Sequence, residues 1–273
     1  MQLRKVTASQ FIDVWSHYDV DGNGFIEGNE LDAFLKEFMV NTQPFDETSF
    51  QYMKGRFLDA FDENDDDRID ISEMAQILPT EENFLLLFRF KNPLTSSVEF
   101  MRVWREFDKD CSGYIEADEL KDFLEDLLKE ANREDQVTEE QLLEYTTTML
   151  QLFDQNKDGK LQLSEMAKLL PVKENFLCRP IFKMSNVSKK LNASDIDSVF
   201  NLYDTDSNGC IENEELNGFL KDLMELVQSE YDSDDIQYMK KTILDQWDFD
   251  KDGKINKNEL TMLLLQQSQT YDD

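Results

Sequence analysis

A twelve-residue pattern repeats six times along this chain, with Asp at position one, Asp or Asn at three, Asp, Asn or Ser at five, and Glu at twelve. The repeats open at Asp19, Asp62, Asp108, Asp154, Asp204 and Asp248 and close at Glu30, Glu73, Glu119, Glu165, Glu215 and Glu259. Such spacing lets positions one, three and five, the backbone carbonyl of seven and both oxygens of a glutamate at twelve surround one hard cation of the Ca²⁺ type. A residue able to adopt positive φ at position six turns the chain around that ion, and Gly24, Gly113, Gly159, Gly209 and Gly253 supply it.

The candidate ligands follow position by position. They are Asp19, Asp21, Asn23, Phe25 and Glu30 in the first loop, and Asp62, Asn64, Asp66, Arg68 and Glu73 in the second. Asp108, Asp110, Ser112, Tyr114 and Glu119 make the third, and Asp154, Asn156, Asp158, Lys160 and Glu165 the fourth. Asp204, Asp206, Asn208, Cys210 and Glu215 make the fifth, and Asp248, Asp250, Asp252, Lys254 and Glu259 the sixth. Phe25, Arg68, Tyr114, Lys160, Cys210 and Lys254 enter through their carbonyls. A strict match arises by chance at about one in a hundred thousand starting positions. Two loops depart from it once each: Ser112 is an uncharged donor, and Asp67 stands where glycine is expected. Loops kept only as helix connectors would show missing ligands, whereas all six keep Asp at one and Glu at twelve. Ca²⁺ is therefore expected at up to six sites.

Flanking residues give the architecture. Phe11, Trp15 and Tyr18 precede the first loop and Phe100, Trp104 and Phe107 the third, while Leu31, Phe34 and Leu35 follow the first and Leu120, Phe123 and Leu124 the third. These are helical spacings of one apolar face. One helix–loop–helix hand cannot bury its own stripe, so hands must pair, with position eight of each loop facing its partner across a short antiparallel bridge: Ile26 with Ile69, Ile115 with Leu161, Ile211 with Ile255. The expected class is all-α, six EF-hands in three paired modules at 1–90, 91–182 and 183–273. Polar stretches Val40–Ser49, Glu130–Thr138 and Gln228–Asp235 read as surface loops, and Thr7 with Gln10 and Thr138 with Gln141 read as helix-start signatures.

Charge narrows the partners. The 59 acidic and 28 basic residues give a formal −31. Six Ca²⁺ ions would still leave about −19, a poor general binder of nucleic acid or acidic membrane. Protein partners with basic or amphipathic segments fit better. There is no membrane-spanning run, no secretory pattern and no lipidation motif, so a cytoplasmic monomer without a direct membrane anchor is expected. Cys111, Cys178 and Cys210 are scattered, unlike a disulfide framework. His17 is the single histidine, with no nucleophile–base set or phosphate-cradling loop beside it, so an enzyme is not expected.

Two functional readings stay open: a sensor that exposes an apolar groove on filling, and a buffer that barely moves. Eleven methionines could line adaptable grooves or simply fill a core. The run Glu82-Asn83-Phe84-Leu85-Leu86-Leu87-Phe88, echoed by Glu174-Asn175-Phe176-Leu177, is either buried between modules or offered to a partner.

Six hands with that repeated Glu-Asn-Phe-Leu segment resemble the calbindin, calretinin and secretagogin family over nearly the whole chain. Asn92-Pro93-Leu94, Ser96-Ser97-Val98-Glu99-Phe100-Met101 and Met224-Glu225-Leu226-Val227-Gln228 point to its secretagogin branch, while Glu165–Leu177 is also close to calbindin. The resemblance implies a cytosolic calcium sensor that contacts SNARE and other proteins of vesicle exocytosis in its filled state.

Overall fold

A computed structural model describes residues 6–21, 24–38, 46–62, 67–78, 80, 84, 86–87, 94–133, 136–170, 172–174, 193–228 and 230–267. Among them are twelve helices, two for each loop. Hands one and two comprise α1 (Ala8–Tyr18), α2 (Gly28–Phe38), α3 (Glu47–Phe61) and α4 (Ile71–Ile77). Hands three and four comprise α5 (Ser97–Phe107), α6 (Ala117–Glu130), α7 (Glu139–Phe153) and α8 (Leu163–Leu169). Hands five and six comprise α9 (Ala193–Tyr203), α10 (Asn213–Val227), α11 (Ser233–Trp247) and α12 (Lys257–Gln267).

The helices begin where the caps say. Gln10 N donates to Thr7 Oγ1 at 3.3 Å and Thr7 N donates back to Gln10 Oε1 at 3.2 Å. Thr138 and Gln141 exchange the same pair of bonds at 3.2 and 3.0 Å. Each satisfies amides that the helix itself leaves without partners. All three position-eight pairs also form, in antiparallel register: Ile26 with Ile69, Ile115 with Leu161 and Ile211 with Ile255. Each of these six side chains is buried, so the bridge joins the two loops of a pair over an apolar seam.

A second kind of pairing was not legible in the sequence. Val6, ahead of α1, bridges in parallel to Thr80, just after α4. Strand β1 (Phe25–Ile26) and strand β2 (Ile69–Asp70) are the loop bridge of that pair; β3 (Leu94–Ser96), ahead of α5, then pairs in parallel with β4 (Val172–Glu174), just after α8. In both places the residues leading into an odd hand are tied to the residues leaving the following even hand. Strands β5 (Cys210–Ile211) and β6 (Ile255–Asn256) are the loop bridge of hands five and six.

The elements gather into two compact units, 1–91 with 124–152 and 92–123 with 153–273, a division that runs through α6 and α7. In the first unit Phe84 is fully buried, with its ring 5.7 Å from Phe11 of α1 and 5.7 Å from Tyr145 of α7. Leu87, three residues further on, is also buried, so the apolar run belongs to the interior at these two residues. Glu82, Asn83, Leu85, Phe88, the echo Asn175–Leu177, Cys178 and Met39 lie outside the described residues.

The second unit is organised by α10 crossing α5. Gly218 makes that approach possible, because a Cβ there would stand 2.8 Å from Val98 N. Beside the crossing, Asp222 accepts bonds from the hydroxyls of Ser97 and Tyr203, and the Lys221 ammonium lies 4.9 Å from the Phe100 ring centroid and 2.6 Å from Glu225. Lys221 and Asp222 are both buried, which such partners make tolerable. All three expected surface loops are shorter than read: Glu47–Ser49 already belong to α3, capped by Asp46, Glu130 to α6 and Ser233–Asp235 to α11. Tyr231 is moreover buried, its hydroxyl donating to Glu225 at 2.9 Å and its carbonyl accepting from Ser164 N at 3.1 Å.

Candidate metal centres

Each loop is shaped by its own ligands. The position-one carboxylate accepts the position-six amide: Gly24 to Asp19 at 3.3 Å, Gly113 to Asp108 at 3.2 Å, Gly159 to Asp154 at 2.9 Å, Gly209 to Asp204 at 3.1 Å and Gly253 to Asp248 at 2.8 Å. In the second loop Asp67 N makes that bond to Asp62 at 2.9 Å, with its φ at 64°, so aspartate there reproduces the glycine turn. In loops three to six position five donates its amide to positions one and three, as Ser112 N does to Asp108 and Asp110 at 2.9 Å.

Position four is the surprise. Cys111, Lys157, Ser207 and Lys251 all have φ between 57° and 60°, so the chain takes the left-handed conformation twice in three residues. Sequence reading missed this because none of the four is glycine. The position-five amide bonds they set up offset the strain of about 1 kcal/mol each.

The position-twelve glutamate ties the loop to the helix that leaves it. Its Oε1 accepts the position-two amide: Val20 at 2.9 Å, Lys109 at 2.9 Å, Gln155 at 2.8 Å, Thr205 at 2.8 Å and Phe249 at 2.9 Å. Its Oε2 accepts the position-nine amide, as at Asp70 (2.9 Å), Glu116 (3.1 Å), Gln162 (3.0 Å) and Asn256 (2.9 Å). The second set is one half of a capping box, so the same carboxylate that would hold the cation also starts the outgoing helix.

Acidic oxygens converge in four of the loops. One oxygen each from Asp19, Asp21 and Glu30 lie within 4.8 Å of one another, and so do those of Asp108, Asp110 and Glu119, of Asp204, Asp206 and Glu215, and of Asp248, Asp250 and Glu259. The crowding has a cost. Burial pushes Asp108 above the usual carboxylate range, the amides of Gly113 and Ser112 oppose it, and the neighbouring Glu119 and Asp110 add to it. Burial, with Asp154, raises Glu165 in the same way. In the first loop Glu30 Oε2 is buried without a hydrogen-bond partner among the described residues. A buried carboxylate oxygen with no donor, in a set made only of hard oxygens, fits a hard divalent cation and little else. Asp154, Asn156, Asp158 and Glu165 surround the fourth loop with the same internal bonds. Asn23, Asn64 and Asp66 lie outside the described residues.

The two described cysteines sit in this framework. Cys210, whose carbonyl takes position seven, is partly buried, and burial pushes its thiol above the ordinary range, which lowers its reactivity. Cys111 is exposed at position four of the third loop.

Comparison with known proteins agrees with this geometry. A family model described as an EF-hand domain pair matches residues 9–79 and 98–170, a second EF-hand domain pair matches 182–223, and an EF hand matches 240–264. Calbindin-32 of Drosophila melanogaster is 60% identical over 272 residues, covering 97% of this chain and 87% of its own. Secretagogin of Xenopus laevis is 44% identical over 263 residues (95% and 96% covered), and calretinin of Rattus norvegicus 43% over 273 (97% and 94%). These identities do not single out the secretagogin branch expected from the sequence. They do establish the level above it: the chain is a calcium-binding EF-hand protein of the calbindin, calretinin and secretagogin family.

Proposed function

We propose that this protein is a calcium-dependent sensor whose filled state binds protein targets, with the target surface on hands five and six. The observation that carries the reading is where large apolar side chains remain exposed. Among the described residues nine large apolar side chains are exposed, and six of these nine, Leu226, Val227, Tyr238, Phe249, Met262 and Leu265, belong to hands five and six, against Val20, Tyr52 and Leu143 elsewhere. Isolated exposed apolar residues are ordinary, but their concentration in one pair of hands supports a docking role. With a formal charge of −31, the fitting target is a segment with apolar anchors and basic flanks.

In this mechanism the ligand sets named above would hold Ca²⁺, which would supply the positive charge that offsets the repulsion among the crowded carboxylates. Glu215 and Glu259 each link their loop to an outgoing helix, α10 or α12, so a change at the carboxylate is transmitted to the helix. The three modules 1–90, 91–182 and 183–273 then carry one pair of sites each in a cytoplasmic monomer. By the family resemblance, the targets are SNARE and other proteins of vesicle exocytosis.

A specific observation favours buffering for hands two and four. Their outgoing helices α4 and α8 are seven residues each, and the residues after them are held in parallel pairs with Val6 and with Leu94–Ser96. Helices anchored at both ends have little room to swing. The test is binding of a hydrophobic dye in millimolar Mg²⁺ with and without Ca²⁺, ions being counted by native mass spectrometry. A calcium-dependent rise at full occupancy supports the sensor, and full occupancy with no rise makes the whole protein a buffer.

A further inference from the structure

We propose that Arg102, on the incoming helix of hand three, is a positioning residue for calcium at loop five. Arg102 Nη2 donates to Thr205 Oγ1 at 2.7 Å, and Thr205 Oγ1 donates in turn to Glu215 Oε1 at 2.7 Å. The same carboxylate oxygen accepts the amides of Thr205 at 2.8 Å and Asp206 at 3.3 Å. A hydroxyl has one proton, and its direction is free until something occupies the lone pairs. The guanidinium occupies one, so the proton points at the glutamate that would close the site around the ion.

Loop five is the one loop built for this. Position two carries Val20, Glu63, Lys109, Gln155, Thr205 and Phe249 in the six loops, and threonine is the single hydroxyl among them. Its glutamate also has a long bond to the position-nine amide, 3.5 Å at Glu212, against 2.9 Å at Asn256 in loop six. The hydroxyl relay compensates for that weaker hold.

Arg102 is itself fixed relative to loop five. Its helix α5 is locked to α10 where Gly218 meets Ser97 and Val98, where Ser97 donates to buried Asp222, and where Arg105 pairs with Glu214. The relay is therefore set before a cation arrives, and Glu215 needs less ordering on binding. Hand three thus conditions a site in another pair of hands.

The sign of the effect separates this from plain electrostatics. A guanidinium near a dication repels it, so loss of the charge alone would tighten binding. Loss of a positioning group weakens it. The inference rests on loop five holding calcium.

The experiment is a calcium titration of the full chain followed by NMR at the Gly209 amide, which donates to Asp204 and so reports loop five, with the Gly159 amide reporting loop four. Arg102→Ala should raise the Gly209 midpoint about three- to tenfold and leave that of Gly159 within about twofold. Thr205→Val should give a similar rise, Thr205→Ser should restore the original midpoint, and Arg102→Ala should add nothing on top of Thr205→Val. Arg102 is exposed, so the fold is not at stake in its replacement. An unchanged or lower Gly209 midpoint in Arg102→Ala would overturn the proposal, as would an Arg102→Ala effect that persists in the Thr205→Val background. A Gly209 amide that ignores calcium in the unsubstituted protein would remove the loop-five ligand assignment as well, whereas the first two results leave that assignment standing.

Discussion

Gly218 of α10 lies so close to Val98 of α5 that a single methyl group at position 218 would stand 2.8 Å from the Val98 amide nitrogen and 3.0 Å from the Ser97 carbonyl oxygen. Both obstacles are backbone, which cannot swing aside as a side chain would. Gly218→Ala would gain helix propensity of roughly 1 kcal/mol in an isolated helix. Here the two helices must separate instead, at a cost of about 1–3 kcal/mol. The expected outcome is net destabilisation, read as a lower denaturant midpoint at fixed calcium concentration. A midpoint raised above the original would mean that the crossing is looser than described.

Next to that crossing, the Asp222 carboxyl has no exposed surface, and burial raises its pKa to about 6 against the opposing pull of Lys221, Ser97 and Tyr203, with Glu225 adding to the rise. The folded chain thus takes up the Asp222 proton more readily than the unfolded chain. The resulting stabilisation is present below about pH 4 and is lost as pH rises through about 6, a swing on the order of 3 kcal/mol. Comparing the protein with Asp222→Asn cancels the other carboxylates. The advantage of the aspartate over the asparagine should shrink between pH 4 and pH 7 in denaturant unfolding, and a pH-independent difference would remove the buried-carboxyl account.

Glutamine at position twelve separates the two jobs of the glutamate. It can still accept the position-nine amide and cap the outgoing helix, but it lacks the charge and the second ligand oxygen. Glu119→Gln with Glu165→Gln should therefore keep the helical circular dichroism while weakening calcium at loops three and four by about a hundredfold. Site-resolved titration at the Gly113 and Gly159 amides provides the check. Unchanged midpoints there would mean that these glutamates are not ligands.

The loops could be read from sequence because their chemistry is local: five ligand positions fall within twelve residues, and nothing distant is needed to recognise them. The position-eight pairs and the Thr7 and Thr138 caps were legible for the same reason. What stayed hidden depends on residues far apart in the chain. The parallel tie of Leu94–Ser96 to Val172–Glu174 has no periodic signature, and Gly218 reads in isolation as a mildly unfavourable helix residue. Lys221 and Asp222 look like a solvated helix face until α5 covers them. Nor could Arg102 and Thr205 be connected by any motif, being 103 residues apart.

The second loop offers a test of how far local strain limits an otherwise complete ligand set. Asp67 holds φ at 64° where the described glycines of the other loops hold 80° to 87°, and its amide still reaches Asp62 at 2.9 Å. A left-handed conformation costs a side-chain-bearing residue roughly 1–2 kcal/mol, less for aspartate than for most. Asp67→Gly removes that strain and one negative charge that is not a ligand, while freeing the unfolded chain by somewhat under 1 kcal/mol. The two backbone effects nearly cancel without calcium. They do not cancel on filling, because the glycine can open φ towards the value its counterparts adopt and draw the position-one carboxylate into place. Asp67→Gly should therefore leave the calcium-free melting temperature within a few degrees and raise loop-two affinity, measured by competition with a chelator of known strength. A lower affinity would show that the charge of Asp67, and not its backbone, governs this loop.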